Sequence, residues 1–312
     1  MHLFRPTALF LLLCAASAIK AQQSQPASPD TASRQIVHTR DGSTLVGRIV
    51  AEDSTTIQIE TSGGVLSIAR SNVLSIATVR EDDMHEGQYW FPDPNRTRLF
   101  FAPTGRMLDQ GEAYYMNTYI LLQSFSGGLT KYVTVGGGFS LIPGVNPTDW
   151  VYYLTPKVGL YQSNSLNLAV GALVGLLPVN VDDAANESNG FGVVYGVATK
   201  GGPNGSVTAG LGYGYSGRSF SQRPVFMLGG EQRVSRRVAL LSENYLYVAR
   251  DIGSACVPES CTLSNHATGL VSYGFRFLGE KLSVDFAFFN AFGQNVNPIF
   301  PGIPYLSFGV KF

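Results

Sequence analysis

The sequence predicts an all-β protein: a transmembrane antiparallel β-barrel of about twelve strands, with ten as the alternative, preceded by a small five-stranded barrel. Three observations lead there. Only 14% of the 312 residues are charged while 45% are hydrophobic, whereas ordinary soluble domains carry about 25% charge. After residue 21 no apolar run approaches the length of a spanning helix, so that part is either soluble or a barrel; only helices and closed barrels satisfy the backbone in lipid. From residue 98 on, alternating strand-like runs are joined by connections that switch between short and long, as in barrels with tight turns at one rim and loops at the other.

Residues 1–21 read as an export signal. His2 and Arg5 precede the apolar run Ala8–Ala16, which is too short to span a bilayer, and Ala16-Ser17-Ala18 offers small residues for cleavage, with Ala21 as the alternative. Leu11-Leu12-Leu13 before Cys14 lacks the small residue that lipid attachment prefers. Residues 22–34, rich in Gln, Ser, Pro and Ala, read as a flexible linker.

Residues 35–80 hold five β-type runs, Ile36–Thr39, Thr44–Ala51, Thr56–Glu60, Val65–Ala69 and Val73–Val79. Turn signals such as Asp41-Gly42 and Ser62-Gly63-Gly64 separate them. The stretch Asp41–Ile76 resembles the small Sm-like and SH3-like barrels of exported bacterial proteins. Sm-like barrels often bind RNA. Here Lys+Arg and Asp+Glu balance at 22 each, no basic cluster is present and the chain reads as exported, which argues against nucleic acid as a partner. The expected role is a periplasmic interaction or spacer module, with a periplasmic partner. Residues 81–97 form a polar connector. Its Tyr89-Trp90-Phe91 suits either a membrane interface or packing under the small barrel.

Residues 98–312 form the barrel. Its strand candidates are Arg98–Ala102, Glu112–Gln123, Leu129–Leu141, Asp149–Tyr161, Leu166–Leu177, Gly190–Thr199, Ser206–Tyr215, Pro224–Arg233, Arg237–Ala249, Asn265–Phe277, Lys281–Ala291 and Ile303–Phe312. Period-two alternation assigns their faces. Trp150, Tyr152, Leu154 and Val158 oppose Tyr153, Thr155, Lys157 and Gly159; Leu282, Val284, Phe286 and Phe288 oppose Ser283, Asp285 and Ala287. Short connections are expected at Ser124–Gly128, Gln162–Ser165, Lys200–Gly205, Val234–Arg236 and Leu278–Glu280, with longer ones between them.

The last strand carries Leu306, Phe308, Val310 and Phe312 on one face and Tyr305, Ser307, Gly309 and Lys311 on the other. It resembles the closing strand of bacterial outer-membrane barrels, whose terminal Phe and apolar row are read by the barrel-insertion machinery. The resemblance implies an outer-membrane location with a periplasmic N-terminal domain. It implies outer-membrane lipid and that machinery as partners. The alternation of short and long connections makes the last strand one of an even set, which is expected to close on Arg98–Ala102. Leu99–Tyr115 and Gly229–Tyr247 also resemble stretches of outer-membrane proteins of environmental bacteria that carry no assigned activity.

The inward rows hold few ionisable groups, among them Lys157, Glu243, Arg276 and Asp285. Pairing Phe277 with Leu282 places Arg276 diagonal to Asp285. Such charges either pair to plug or line the lumen or, as the minority reading, form a gate or selectivity ring. Cys256 and Cys261 are expected to form a loop disulfide. No metal site and no cofactor are expected. Twelve strands is also the number in the outer-membrane phospholipase A family, which places His and Ser at the outer rim; here Ser264 precedes His266, the reverse of that family's order, and no nucleophile elbow or zinc-protease motif is present. The expectation is therefore not an enzyme but a narrow pore or passive transporter. The alternatives are a closed structural or adhesion barrel working through its external loops and, remotely, a rim lipid hydrolase.

Overall fold

The computed structural model describes residues 34–79, 83–177, 190–217, 219–252, 263–293, 296–297 and 299–312, and for residues 248–252 and 263–266 the backbone alone. The signal segment 1–21, nearly all of the 22–34 linker, Cys256 and Cys261 lie outside the described residues. The chain divides into two compact units, at Thr78 and Val79.

The first unit is a five-stranded antiparallel sheet of β1 (Gln35–Thr39), β2 (Thr44–Glu52), β3 (Thr56–Thr61), β4 (Gly64–Ala69) and β5 (Val73–Thr78), in the order β4-β3-β2-β1-β5. β4 and β5 are its edges, so among the described residues the pairing does not close. Its core is built from Val37, Ile59 and Ile68, with Leu45, Ile49 and Val73 packed on them. The turns use short acidic side chains, as their composition predicts. Asp41 Oδ1 accepts from Ser43 N at 3.0 Å, and Asp53 Oδ1 accepts from Thr55 N and Thr56 N at 2.7 and 2.8 Å. The Thr39 hydroxyl, followed by Ser43, holds the exposed Asp41 carboxyl down to about 2.

The second unit begins with a hairpin of β6 (Met84–His85) and β7 (Gln88–Tyr89). Its barrel wall runs through β8 (Ala113–Thr118), β9 (Leu122–Thr130), β10 (Val133–Ser140), β11 (Tyr152–Leu154), β12 (Lys157–Gln162), β13 (Leu166–Leu176), β14 (Gly190–Gly202), β15 (Gly205–Ser216), β17 (Val225–Ser235), β18 (Val238–Ile252), β19 (Leu263–Leu278), β20 (Leu282–Phe292) and β21 (Ile303–Lys311). β16 (Ser219–Phe220) adds only a short hairpin arm to β15. β11 and β12 are one wall strand interrupted at Thr155-Pro156. Thr155 N still donates to Gly136 O at 2.8 Å across the break, where proline has no N–H to offer. Counted so, the barrel has twelve antiparallel strands and is closed by β21 on β8.

The count agrees with the expectation, but two of its parts differ. Arg98–Ala102 is not a strand: its one ladder element is an isolated bridge between Arg98 and Pro103. The candidate Glu112–Gln123 is two strands, β8 and β9, which turn at residues 119–121. Phe308 therefore pairs with Asn117 and Lys311 with Tyr114, so the closing partner is β8. The expected turn at Ser124–Gly128 is continuous β9. Gly128 answers to close approach: a Cβ there would sit 2.1 Å from the Asp109 carbonyl oxygen. The real turn has no glycine. Tyr119 and Ile120 take positive φ values of 55° and 68°, and side chains stabilise them, Asn117 Oδ1 accepting from Ile120 N at 2.9 Å and Gln123 Nε2 donating to Ile120 O at 2.6 Å.

One rim carries the short turns 131–132, 163–165, 203–204, 236–237 and 279–281. The other carries the longer connections 141–151, 177–189, 217–224, 253–262 and 293–302, together with the tight turn 119–121. Leu306, Phe308 and Phe312 face outward and are exposed, with Val310 beside them, while Tyr305 and Ser307 face inward and are buried.

Candidate functional site

The lumen is occupied by the chain itself. Residues 90–108, which enter from the short-turn rim and lead into β8, fold inside the barrel as a plug. They have no regular secondary structure, so their backbone groups must be satisfied by one another or by the wall. Leu99 N donates to Ala102 O at 2.8 Å and Thr104 N to Thr97 O at 2.9 Å, forming a compact turn over 97–104. Two apolar clusters hold this turn on opposite sides. Phe91 and Phe100 pack with Ala239, Leu241, Leu278, Ala287 and Tyr305; Leu99, Ala102 and Met107 pack with Ala169, Val197 and Met227. Trp90 and Phe91 thus lie in the lumen and not at a membrane interface. The Arg233 guanidinium stacks 5.1 Å from both rings and donates to Phe91 O at 2.7 Å.

The four expected inward ionisable residues all face the plug and are buried, Lys157 at 5% exposure and Glu243, Arg276 and Asp285 at 0%. Each engages the plug in a different way. Glu243 Oε2 accepts the successive backbone N–H groups of Phe100, Phe101 and Ala102 at 2.8, 2.9 and 3.0 Å, and Tyr245 donates its hydroxyl to Oε1 at 2.7 Å. Lys157 Nζ donates to the carbonyls of Thr97, Thr104 and Arg106 at 3.3, 3.2 and 2.7 Å, which uses all three ammonium protons.

Arg276 and Asp285 are directly opposite, because Phe277 pairs with Val284 and not with Leu282; the diagonal placement is thereby corrected. Arg276 Nε donates to Asp285 Oδ1 at 2.6 Å, and its two terminal nitrogens reach Asp93 Oδ2 at 2.8 Å and Leu99 O at 2.7 Å. Asp285 Oδ2 also accepts from Arg98 at 3.1 Å and from Ser307 Oγ at 3.1 Å. The four residues are brought to one plug, but they do not form a ring around an open channel.

The composition of the plug, with Arg98, Asp93 and Asn95 as its polar anchors, escaped the sequence reading, as did Glu231 on the wall, 3.7 Å from Arg276. One signal was present. Arg98–Ala102 is five residues long and lies among Pro92, Pro94 and Pro103, whereas a spanning strand needs about 9–11 residues. At the short-turn rim, Arg96 bridges Asp109 and Glu112 at 3.0 and 2.9 Å, and Lys311 meets Glu112 at 2.5 Å. Burial raises the Glu112 pKa, but the Arg96 charge and the Lys311 and Asp109 N–H hydrogen bonds outweigh it and bring it to about 2.

Above the plug lies a chamber of about 500 Å³. Its floor is the plug turn, with Phe101 at the tip, and its walls include Tyr114, Met116, Tyr153, Leu173, Val193, Tyr195 and Met227. Among the described residues no group of three or more His, Cys, Asp or Glu side chains is placed to hold a metal ion. Ser264 and His266 pair with Asp251 and Ala249 across the β18–β19 ladder, and their side chains lie outside the described residues.

No protein-family model matches this chain, and no curated protein matches it in sequence. Among solved structures it is similar to a NanC porin (TM-score 0.36, 6% identity, covering 64% of this chain and 97% of that one). It is also similar to the outer-membrane-expressed OmpT of Vibrio cholerae (TM-score 0.34, 9% identity, 90% and 95%). Likenesses at this level transfer no property, and the closed twelve-strand barrel rests on the strand pairing of this chain.

Proposed function

We propose that this chain is an outer-membrane barrel held shut by its own plug, and that it passes small molecules only when the plug moves. The single observation that carries the reading is the tie between plug and wall: Lys157, Glu243, Arg276 and Asp285 all spend their hydrogen bonds on, or in concert with, residues 93–106. Buried polar groups with many partners hold one arrangement firmly, and the same groups become costly when a partner leaves; within the plug, Asn95 Oδ1 and Arg98 Nε have none among the described residues. The barrel therefore favours the shut state and returns to it.

The membrane assignment is supported by the outer face. Leu154, Leu160, Leu176, Val207, Leu228, Leu240, Phe277 and Leu306 are all exposed, more contiguous apolar surface than a soluble monomer shows. Exposed aromatic side chains mark both rims, Tyr132, Tyr161 and Phe312 at the short-turn rim and Tyr119, Tyr152 and Phe220 at the other, as in the girdles of membrane barrels. Short turns face the periplasm in such barrels; the plug and the N-terminal unit are then approached from the periplasmic side. No catalytic role is assigned.

Planar-bilayer recording of the full chain tests the reading. The intact protein is expected to show no steady conductance, and a variant lacking residues 91–108 is expected to conduct. Steady conductance of the intact protein overturns the shut state. A folded deletion variant that stays silent overturns the plug as the barrier. If the deletion does not fold, Glu243→Ala, which frees only the tip of the plug, is expected to flicker open.

A further inference from the structure

We propose that the chamber above the plug is a binding site for one uncharged aromatic small molecule. Its volume, about 500 Å³, lies in the range of about 300–1,000 Å³ typical of ligand pockets. It is a blind pocket in the described structure, since the plug turn forms its floor. The lining is predominantly apolar and aromatic, which suits a ring system that stacks edge-on or offset. Phe101 stands at the floor with its ring 4.7 Å from that of Tyr305 and 5.8 Å from that of Phe289, and it is 47% exposed and borders the chamber.

The charges of the floor select against ions. Lys157 has all three protons on plug carbonyls. Arg98 gives its terminal nitrogens to Asp285 and to the Leu99 and Phe100 carbonyls. Glu243 has its oxygens on the plug tip and on Tyr245. An anionic or cationic ligand would lose its hydration without gaining a counter-charge, which is costly. The polar groups that remain are the Arg98 Nε–H, which has no partner among the described residues, and hydroxyls, including the Ser124–Tyr153 pair at 2.8 Å; these suit a neutral hydroxyl or carbonyl on the ligand.

This assignment names a cargo class for the transport reading and rests on it only for its purpose. Its test reads binding to the shut barrel, so passage and binding can fail separately. The refolded full chain is dialysed to equilibrium in detergent against 2-naphthol, 2-naphthalenesulfonate and 1-decanol. One saturable site for 2-naphthol is expected, with the sulfonate weaker by about tenfold or more, since each tenfold is about 1.4 kcal/mol and an unpaired buried charge costs more than that. Val193→Trp, which fills the chamber, is expected to abolish the site while heat-modifiable gel migration persists. If that variant does not fold, Leu173→Phe takes its place. Uptake equal in the filled variant, or equal for naphthol and sulfonate, overturns the proposal. Decanol binding as strong as naphthol at the same site assigns the chamber to aliphatic chains and overturns the aromatic class.

Discussion

Glu243 and Phe100 are 143 positions apart in sequence, yet the carboxylate oxygen of the first accepts the backbone N–H of the second at 2.8 Å, and accepts the next two N–H groups as well. A single wall side chain thus takes three consecutive amide protons of a turn that has no strand to pair with. With the Tyr245 hydroxyl, four donors converge on this one carboxyl group, so this one residue anchors the tip of the plug.

Replacing Glu243 by Gln is expected to keep the shape and weaken the anchor, and replacing it by Ala to release the tip. Amide exchange at Phe100, Phe101 and Ala102 should speed up in the order wild type, Gln, Ala, by about tenfold or more for Ala, because each stranded buried donor costs about 1–3 kcal/mol. Exchange measured by mass spectrometry checks this. Unchanged protection in the Ala variant would show that the apolar clusters alone hold the tip.

The Arg276–Asp285 pair predicts strong coupling. Either Arg276→Ala or Asp285→Ala should destabilise the barrel, by up to about 3–5 kcal/mol, because each removes the nearest partner of a buried charge and leaves Asp285 to Arg98 or Arg276 to Asp93. The double variant should lose clearly less than the sum. Denaturant unfolding in detergent micelles measures the cycle. Additive losses would mean that Asp93 and Arg98 compensate fully for the missing partner.

Acid should loosen the short-turn rim. The Glu112 carboxyl is lowered from 4.5 to about 2 in the folded chain, so its contribution is complete above the unfolded value and is lost as pH falls from about 4.5 towards 2. Stability of the wild type should therefore drop through that window by more than that of Glu112→Gln, in which the group cannot titrate. Parallel pH profiles for the two proteins would remove Glu112 from the acid response.

Asn244 predicts a defect of a different kind. The β18–β19 ladder skips residues 242–244, and Asn244 Oδ1 accepts the Ser272 N–H at 3.1 Å in place of a backbone carbonyl. Asn244→Leu should cost about 1–3 kcal/mol because it leaves that donor unpaired. Asn244→Asp keeps an acceptor but puts a carboxyl on the outward face, so it should cost less in acid, where the carboxyl is neutral, than in mild alkali. Equal stability of the Leu variant would show that the ladder closes over the gap.

Strand faces were legible before any coordinates. The inward placement of Lys157, Glu243, Arg276 and Asp285 and the outward row Leu306, Phe308, Val310 and Phe312 follow from period-two alternation. That signal is local: each residue's face is set by its immediate neighbours. Connection lengths are equally local, which is why the alternation of short and long connections could be read for most of the wall. The turn at 119–121 was not legible, because Tyr119 and Ile120 carry no turn signal and are held by the side chains of Asn117 and Gln123.

What the sequence by itself determined, then, is an apolar exterior, a sparse set of inward charges and the outward row ending on Phe312; the strand count came out even because Glu112–Gln123 splits in two while Arg98–Ala102 leaves the wall. What only the tertiary structure decided is the content of the lumen. Arg98 finds Asp285 across 187 positions, and Asn95 finds Ser283 across 188. Contacts so distant leave no periodic trace in a plug without regular secondary structure. Without them, the plug segment resembles a short first strand; with them, it leaves the wall, β8 closes the barrel on β21, and the inward charges become its anchors.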